Sequence, residues 1–394
     1  MGIAVLTKEQ IVEEARRRYV PFIQERVNCG ARQRDLEGSP IPRELLCTAA
    51  TIGLIAHTIP AEVGGAGRSW WEWGHMLYEI GYHCEDTAFP LLLDYCGTVT
   101  KLLYEAGRPD LIDRYVRPMA RGECFGAFCW SEGQDPFSFR TSIRQDGETY
   151  VVDGEKVPVA GGLTADLFMT FGRSAESGDV AVVLVERGDA GVEITPYPAV
   201  GLRSAGIARA RFHSVRVPAE RLLLATDGVS YGQRFLNERR LGMPCWALGR
   251  MRTLFERCVA ELCQRQRYRL PVTEMQAVQA AIGRMFVALE TSSLVVAHAL
   301  ERVRCEGHDS FWDTAIAISK YYVVNQALDV CRTAQQILGG ASVFLESPYE
   351  RYMRDFQCLV PLAGTQAILE VDLGILAIGE IERRLVQSRL EVHA

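Results

Sequence analysis

Gln336-Ile-Leu-Gly-Gly340, then Arg351-Tyr-Met-Arg-Asp355, then Leu362-Ala363-Gly364-Thr365: these three short pieces of the C-terminal third decide the fold. The glycine pair follows an apolar helical stripe. Alone, it reads as a helix C-cap or as a place where backbone can approach a phosphate. The most informative residue is Ala363, a small apolar side chain directly before Gly364-Thr365.

The chain around these pieces has 394 residues, enough for more than one domain. Its 48% hydrophobic and 23% charged residues are those of an ordinary globular protein. The net charge is −6 and no long basic run occurs, so no nucleic-acid partner is expected. The arginine clusters Arg16-Arg17-Arg18, Arg239-Arg240 and Arg383-Arg384 are short and interleaved with acids, and read as solvated helix faces. No apolar stretch stands out as a transmembrane span, and the start of the chain lacks the features of a signal peptide, so a cytoplasmic protein without a membrane partner is expected. The 12 cysteines include no C-x-x-C pair; the closest are Cys124/Cys129 and Cys258/Cys263. They read as reduced, buried thiols, not as a disulfide framework. The seven histidines show no metal-ligand spacing, so no metal site is expected.

Periodicity divides the chain into residues 1–120, 121–230 and 231–394. The first part is helical, with Ile11, Ala15, Tyr19 and Ile23 on one face and Trp73, Met76, Leu77 and Ile80 on another. The second is strand-rich: Thr149–Val157 reads as two strands joined by a tight Asp153-Gly154 turn, and segments 167–171, 180–186 and 210–218 are further strands. This predicts a small antiparallel barrel or sandwich. The third is helical, with stripes Leu248-Met251-Leu254-Phe255-Cys258-Leu262 and Val278-Ile282-Met285-Leu289 that suit a long-helix bundle. Helix, barrel, helix is an α+β order of three domains.

With that order in view, the opening pieces resemble the signature of the acyl-CoA dehydrogenase flavoproteins. So do Gly53–Pro60 with Gly64-Gly65, Val151–Lys156, Gly201-Leu-Arg203 through Phe212, Val217-Pro218, and Arg265-Gln-Arg-Tyr268 through Gln276. The resemblance covers nearly the whole chain. It implies an N-terminal helical domain, a small antiparallel β-barrel and a C-terminal four-helix bundle. It also implies flavin adenine dinucleotide (FAD), an acyl thioester substrate on CoA or an acyl carrier protein, and a homodimer or homotetramer. Carried over residue by residue, it assigns Trp130, Ser131, Arg265, Tyr268, Gln276, Gln336, Gly339, Gly340 and Thr365 to the cofactor. An Arg fork suits a pyrophosphate. Asp94 and Tyr95, on the helix that would line the acyl cavity, join Ala363 and Gly364 in the substrate pocket.

The departures bear on chemistry. The family's α-proton-abstracting glutamate would stand at Ala363, which cannot act as a base. After Lys156 the family has a Trp and a Thr beside the flavin; this chain has Pro158 and Ala160. Some members carry the glutamate on a C-terminal helix just before an arginine. Here that arginine aligns with Arg240 and the glutamate with Arg239, while Glu238 is one residue, about 100°, away. The candidates for catalysis are therefore Glu238, Arg239 and Arg240, the arginines as anion or enolate stabilisers. The reading that follows is an FAD-dependent oxidoreductase for an unusual acyl thioester, carrier-protein-tethered, in a biosynthetic pathway. The alternatives are a redox-neutral elimination or cyclisation enzyme on the same scaffold, and a non-catalytic subunit of a hetero-oligomer.

Overall fold

The computed structural model describes residues 6–133, 135–307 and 312–392. Helix α1 (Lys8–Arg18) starts at a reciprocal cap: the Thr7 hydroxyl accepts from Gln10 N at 3.3 Å, and Gln10 Oε1 accepts from Thr7 N at 2.8 Å. The stripe Ile11, Ala15, Tyr19 and Ile23 is buried. A second such cap, Ser69 with Glu72, opens α2 (Trp70–His83), whose Trp73, Met76, Leu77 and Ile80 are buried. Helix α3 (Ala88–Glu105) is buried along most of its length, and Asp94 is part of that interior.

Eight strands follow: β1 (Gly126–Cys129), β2 (Ser142–Asp146), β3 (Thr149–Val159), β4 (Leu167–Ser174), β5 (Val180–Glu186), β6 (Val192–Pro196), β7 (Ala208–Pro218) and β8 (Leu222–Leu224). They lie in the order β6-β7-β3-β2-β4-β5-β8, with β1 beside β4. Most ladders are antiparallel as expected, but β1–β4 and β2–β4 run parallel, which makes the sheet mixed. The hairpin turn also differs from the sequence reading. It falls at the earlier Asp-Gly pair: Asp146 faces Thr149, and Gly147 (φ +63°) with Glu148 forms the loop. Asp153-Gly154 instead lies inside the unbroken strand β3, where pairing with β7 shifts register. Asp153 Oδ1 accepts from Ser214 N at 2.7 Å, and a Cβ on Gly154 would press on Thr141 at 2.6 Å. The glycine serves a bulge and a close backbone approach.

The bundle comprises α4 (Gly228–Cys263), α5 (Gln276–Glu306), α6 (Thr314–Leu338) and α8 (Gln366–Val392), with the short α7 (Pro348–Leu359) between the last two. Helix α2 crosses α4 so closely that a Cβ on Gly81 or Gly249 would overlap backbone atoms of the opposite helix. By length and composition alone α5 could cross a membrane, with a mean hydropathy of 1.4 over its most apolar window. In this fold it buries Met285, Leu289, Val296 and Leu300 within the helical core. Helix α8 buries Leu369 but leaves Ile368, Val371, Ile375, Ile378 and Ile381 exposed.

The Arg351–Asp355 motif ties the three parts together. Asp355 Oδ1 accepts from Leu202 N at the barrel exit, at 2.7 Å. Arg354 reaches Asp35 of an N-terminal helix at 2.6 and 3.0 Å, and Arg351 reaches Asp86, in the connection between α2 and α3, at 3.0 Å. Asp86 also receives Arg34 at 2.9 Å. These are charge-assisted contacts on largely buried carboxylates, the stronger kind of hydrogen bond.

Candidate active site

Helix α4 brings two arginines inside. The sequence reading places Arg239-Arg240 on a solvated face; the structure corrects this, with Arg239 at 0% and Arg240 at 2% exposure. A guanidinium cannot be buried cheaply without partners, so what each one meets matters.

Arg239 faces α3. It forms an ion pair with Asp94 and donates to the Thr98 hydroxyl, and its guanidinium lies 5.7 Å from the Tyr95 ring centroid and 5.5 Å from that of Phe235. Asp94 is seated against Gly242, where a Cβ would come within 2.5 Å of its carboxylate. Burial pushes the Asp94 carboxyl up, Arg239 pulls it back, and the balance is about 6. Its other oxygen, Oδ1, is buried against Gly242, and the Trp246 indole N–H is a further donor that lowers the carboxyl. The aromatic wall continues past Phe235: it stacks on Phe128 of β1 at 3.8 Å, and Phe128 stacks on Trp130 at 5.9 Å.

Glu238 is ion-paired with Lys101 of α3, beside Glu105. The structure therefore brings Asp94 and Tyr95 to Arg239, and holds Glu238 in a separate ion pair.

Arg240 faces the opposite partner, the turn at Ala363-Gly364. Its Nε donates to Ala363 O at 2.8 Å, and its guanidinium lies 4.9 Å from the Trp312 ring centroid. Nη1 is buried without a partner. Burial draws Arg240 down to about 10. From α6, Lys320 Nζ donates to Val360 O at 2.7 Å and Gly364 O at 2.8 Å, bracketing the same turn. It is 0% exposed, and burial, with Arg240 second, lowers it to about 7. Ala363 (φ +55°) and Gly364 (φ +105°) are both left-handed, and Ala363 is buried. Thr365 is exposed and its hydroxyl caps α8 by accepting from Ile368 N at 3.4 Å.

At the barrel, Lys156 is buried and ion-paired with Glu132 at 2.9 Å; its Nζ donates to Trp130 O at 3.0 Å. Burial lowers it to about 8, against the pull of Glu132. Val157 N donates to Ser131 O at 2.7 Å. Strand β3 thus grips the backbone of Trp130-Ser131. The Trp130 ring lies on Gly232 of α4, where any Cβ would overlap it.

The dinucleotide candidates lie on the bundle. Arg265 donates to Leu338 O at 2.7 Å and pairs with Glu261. It borders a cleft of about 260 Å³ shared with Ala341, Ser342, Ser347 and Tyr349. Gly339 is left-handed (φ +80°), and among the described residues no atom beyond the chain neighbours lies within 4 Å of where its Cβ, or that of Gly340, would be. An arginine beside an open glycine turn fits a pyrophosphate. Tyr268, Gln276 and Gln336 are exposed; Tyr268 is 86% exposed with φ +54°. Among the described residues no cluster of metal-ligating side chains occurs, and the cysteines are free.

Lys320 and Trp312 went unnoticed in sequence. The available signal for Lys320 was a lone lysine inside the apolar run Ala315–Val324.

The comparisons agree with this architecture. The N-terminal, middle and C-terminal domain models of acyl-CoA dehydrogenase match residues 7–123, 127–215 and 226–375. The chain belongs to the acyl-CoA dehydrogenase family, whose members are flavoenzymes. It is 26% identical over 359 residues to benzylmalonyl-CoA dehydrogenase of Aromatoleum aromaticum, covering 90% of this chain and 94% of that one. Its fold matches a glutaryl-CoA dehydrogenase of Mycobacterium smegmatis in complex with FADH2, with a TM-score of 0.87, 22% identity, and 94% of each chain covered. It also matches the prolyl acyl carrier protein oxidase AnaB, with a TM-score of 0.86, 20% identity, and 94% and 98% covered.

Proposed function

We propose that the protein is an FAD-dependent oxidoreductase for an unusual acyl thioester, tethered to a carrier protein, in a biosynthetic pathway. The observation that carries this reading is a reactive turn fully built around a missing acid. Arg240 holds Ala363 O, Lys320 holds the carbonyls on either side, and both turn residues keep left-handed backbone, yet residue 363 is alanine. A scaffold that had merely decayed would not need two buried cations to support an idle loop, because each costs desolvation energy. The benzylmalonyl-CoA and prolyl carrier-protein enzymes it resembles are named for acyl groups other than plain fatty chains.

FAD, when bound, supplies the hydride acceptor. Arg265, Gly339 and Gly340 would hold its pyrophosphate, and Trp130-Ser131 would face its ring system. The proton acceptor we assign is Asp94. Arg239 orients it, and its carboxyl near 6 is substantially ionised at neutral pH. The apolar row on α8 supports a homodimer or homotetramer.

The test is anaerobic addition of hydroxyacyl-, aminoacyl- and 2-alkylmalonyl-pantetheine thioesters to the purified holoprotein, following the visible flavin band. Bleaching by one of these and not by butyryl-pantetheine supports the reading. Bleaching by butyryl-pantetheine alone, or by none of the set, overturns it.

A further inference from the structure

The surroundings of Arg240 contain an electrostatic imbalance. Its Nε is occupied by Ala363 O, its plane lies against Trp312, and its Nη2 lies 3.2 Å from where a Cβ on Gly364 would sit. Among the described residues, the other titratable group that meets this turn is Lys320, a second basic group. The acid that acts on Arg240 from a distance is Asp372, and no ion pair joins them. Among the described residues, Arg240 Nη1 and Trp312 Nε1, both buried, have no hydrogen-bond acceptor. Gln366, two residues past Gly364, has both amide atoms buried and unpartnered. Buried donors of this kind are the exception in folded proteins and mark a missing partner. Two cations and an indole N–H ask for an anion with several acceptor atoms.

The location specifies which anion. Arg240 is anchored to the backbone of residue 363, whose side chain is a methyl group and supplies no charge. A carboxylate entering there would have to arrive on the substrate.

We propose that Arg240, flanked by Trp312, is a recognition site for a carboxylate on the acyl group, so that the substrate is a half-acid thioester of 2-alkylmalonyl type, whose alkyl β-carbon keeps the hydrogen to be transferred. This rests on the thioester reading above and deepens it. The substrate's own carboxylate meets the unpartnered Nη1 of Arg240 and Nε1 of Trp312. Lys320 acts through the turn: it fixes the carbonyls of Val360 and Gly364, and its positive potential adds to the attraction for an anion.

The test measures equilibrium binding to the holoprotein by titration calorimetry, with malonyl-pantetheine and neutral butyryl-pantetheine as probes. A charge-assisted, multi-donor contact in a buried site predicts about tenfold or greater preference for the malonyl thioester. Arg240→Gln should abolish the preference. Should that variant fail to fold, Ala363→Glu decides the matter: it places an internal carboxylate on Arg240 and should erase the preference while raising the melting temperature. Equal affinity of wild type for both probes overturns the carboxylate site and leaves the thioester reading standing. A preference that survives Ala363→Glu places the site elsewhere and also overturns it. Binding of neither probe defeats the thioester reading itself, and the inference with it.

Discussion

Replacing Asp94 with Asn tests the interior pair between α3 and α4. The side chains of Asp94 and Arg239 are each 1% exposed, so water cannot compensate when one partner is neutralised. Breaking a buried ion pair from one side costs about 3–5 kcal/mol, mostly the desolvation of the remaining charge. For 394 residues the unfolding entropy is about 0.8 kcal/mol per kelvin, so Asp94→Asn should lower the melting temperature by about 4–6 °C if the chain melts as one unit. Asp94→Leu with Arg239→Met replaces both charges by apolar groups of similar size and should recover most of that loss. Thermal melts of the holoprotein measure both. The activity assay separates structure from chemistry: the double variant should be stable and yet fail to bleach its flavin with the true substrate. A drop of less than 1 °C for Asp94→Asn would refute the claim of an uncompensated interior charge. Full activity in the double variant would remove Asp94 from the chemistry.

Three further outcomes follow from the geometry. Gly201→Ala should cost several kcal/mol, because a Cβ there would run into the backbone of Arg354 and Asp355 and break the link from Leu202 to the bundle; a melting temperature within 1 °C of wild type would contradict this. Lys320, at about 7 when folded against 10.5 when exposed, binds fewer protons in the native state between those values. Its burial penalty is therefore fully present below pH 7, and stability should rise across pH 7–10.5 by up to about 1.4 kcal/mol per unit; Lys320→Met should flatten that profile, and an unchanged slope would reject the assignment. Arg265→Ala should weaken FAD retention by about tenfold or more through loss of the pyrophosphate fork, measured as released flavin after gel filtration; unchanged flavin content would remove Arg265 from the cofactor site.

The fold was legible where periodicity and order carry the information. Stripes such as Ile11-Ala15-Tyr19 and Leu248-Met251-Leu254 are core in the structure. Two Asp-Gly pairs seven residues apart were not distinguishable by local turn chemistry: only the pairing of β3 with β7, and the approach of Gly154 to Thr141, shows which is the bulge. The same holds at the site. Adjacent arginines on a helix look like a solvated face, because their partners, Asp94 and the carbonyl of Ala363, are far away in sequence. Lys320 hides in an apolar stripe because its partners are backbone carbonyls, which every residue possesses. Side chains that bind backbone leave no trace in the composition of what they bind.

Arg240 grips the carbonyl of residue 363, not its side chain. The turn therefore behaves as a socket whose shape is independent of what is plugged into it. Acid or methyl can occupy the position without rebuilding the helices behind it, so a lineage can exchange the reactive group while inheriting the scaffold unchanged. In this chain the support of the turn is separable from its chemistry, and the support is a guanidinium on the neighbouring helix.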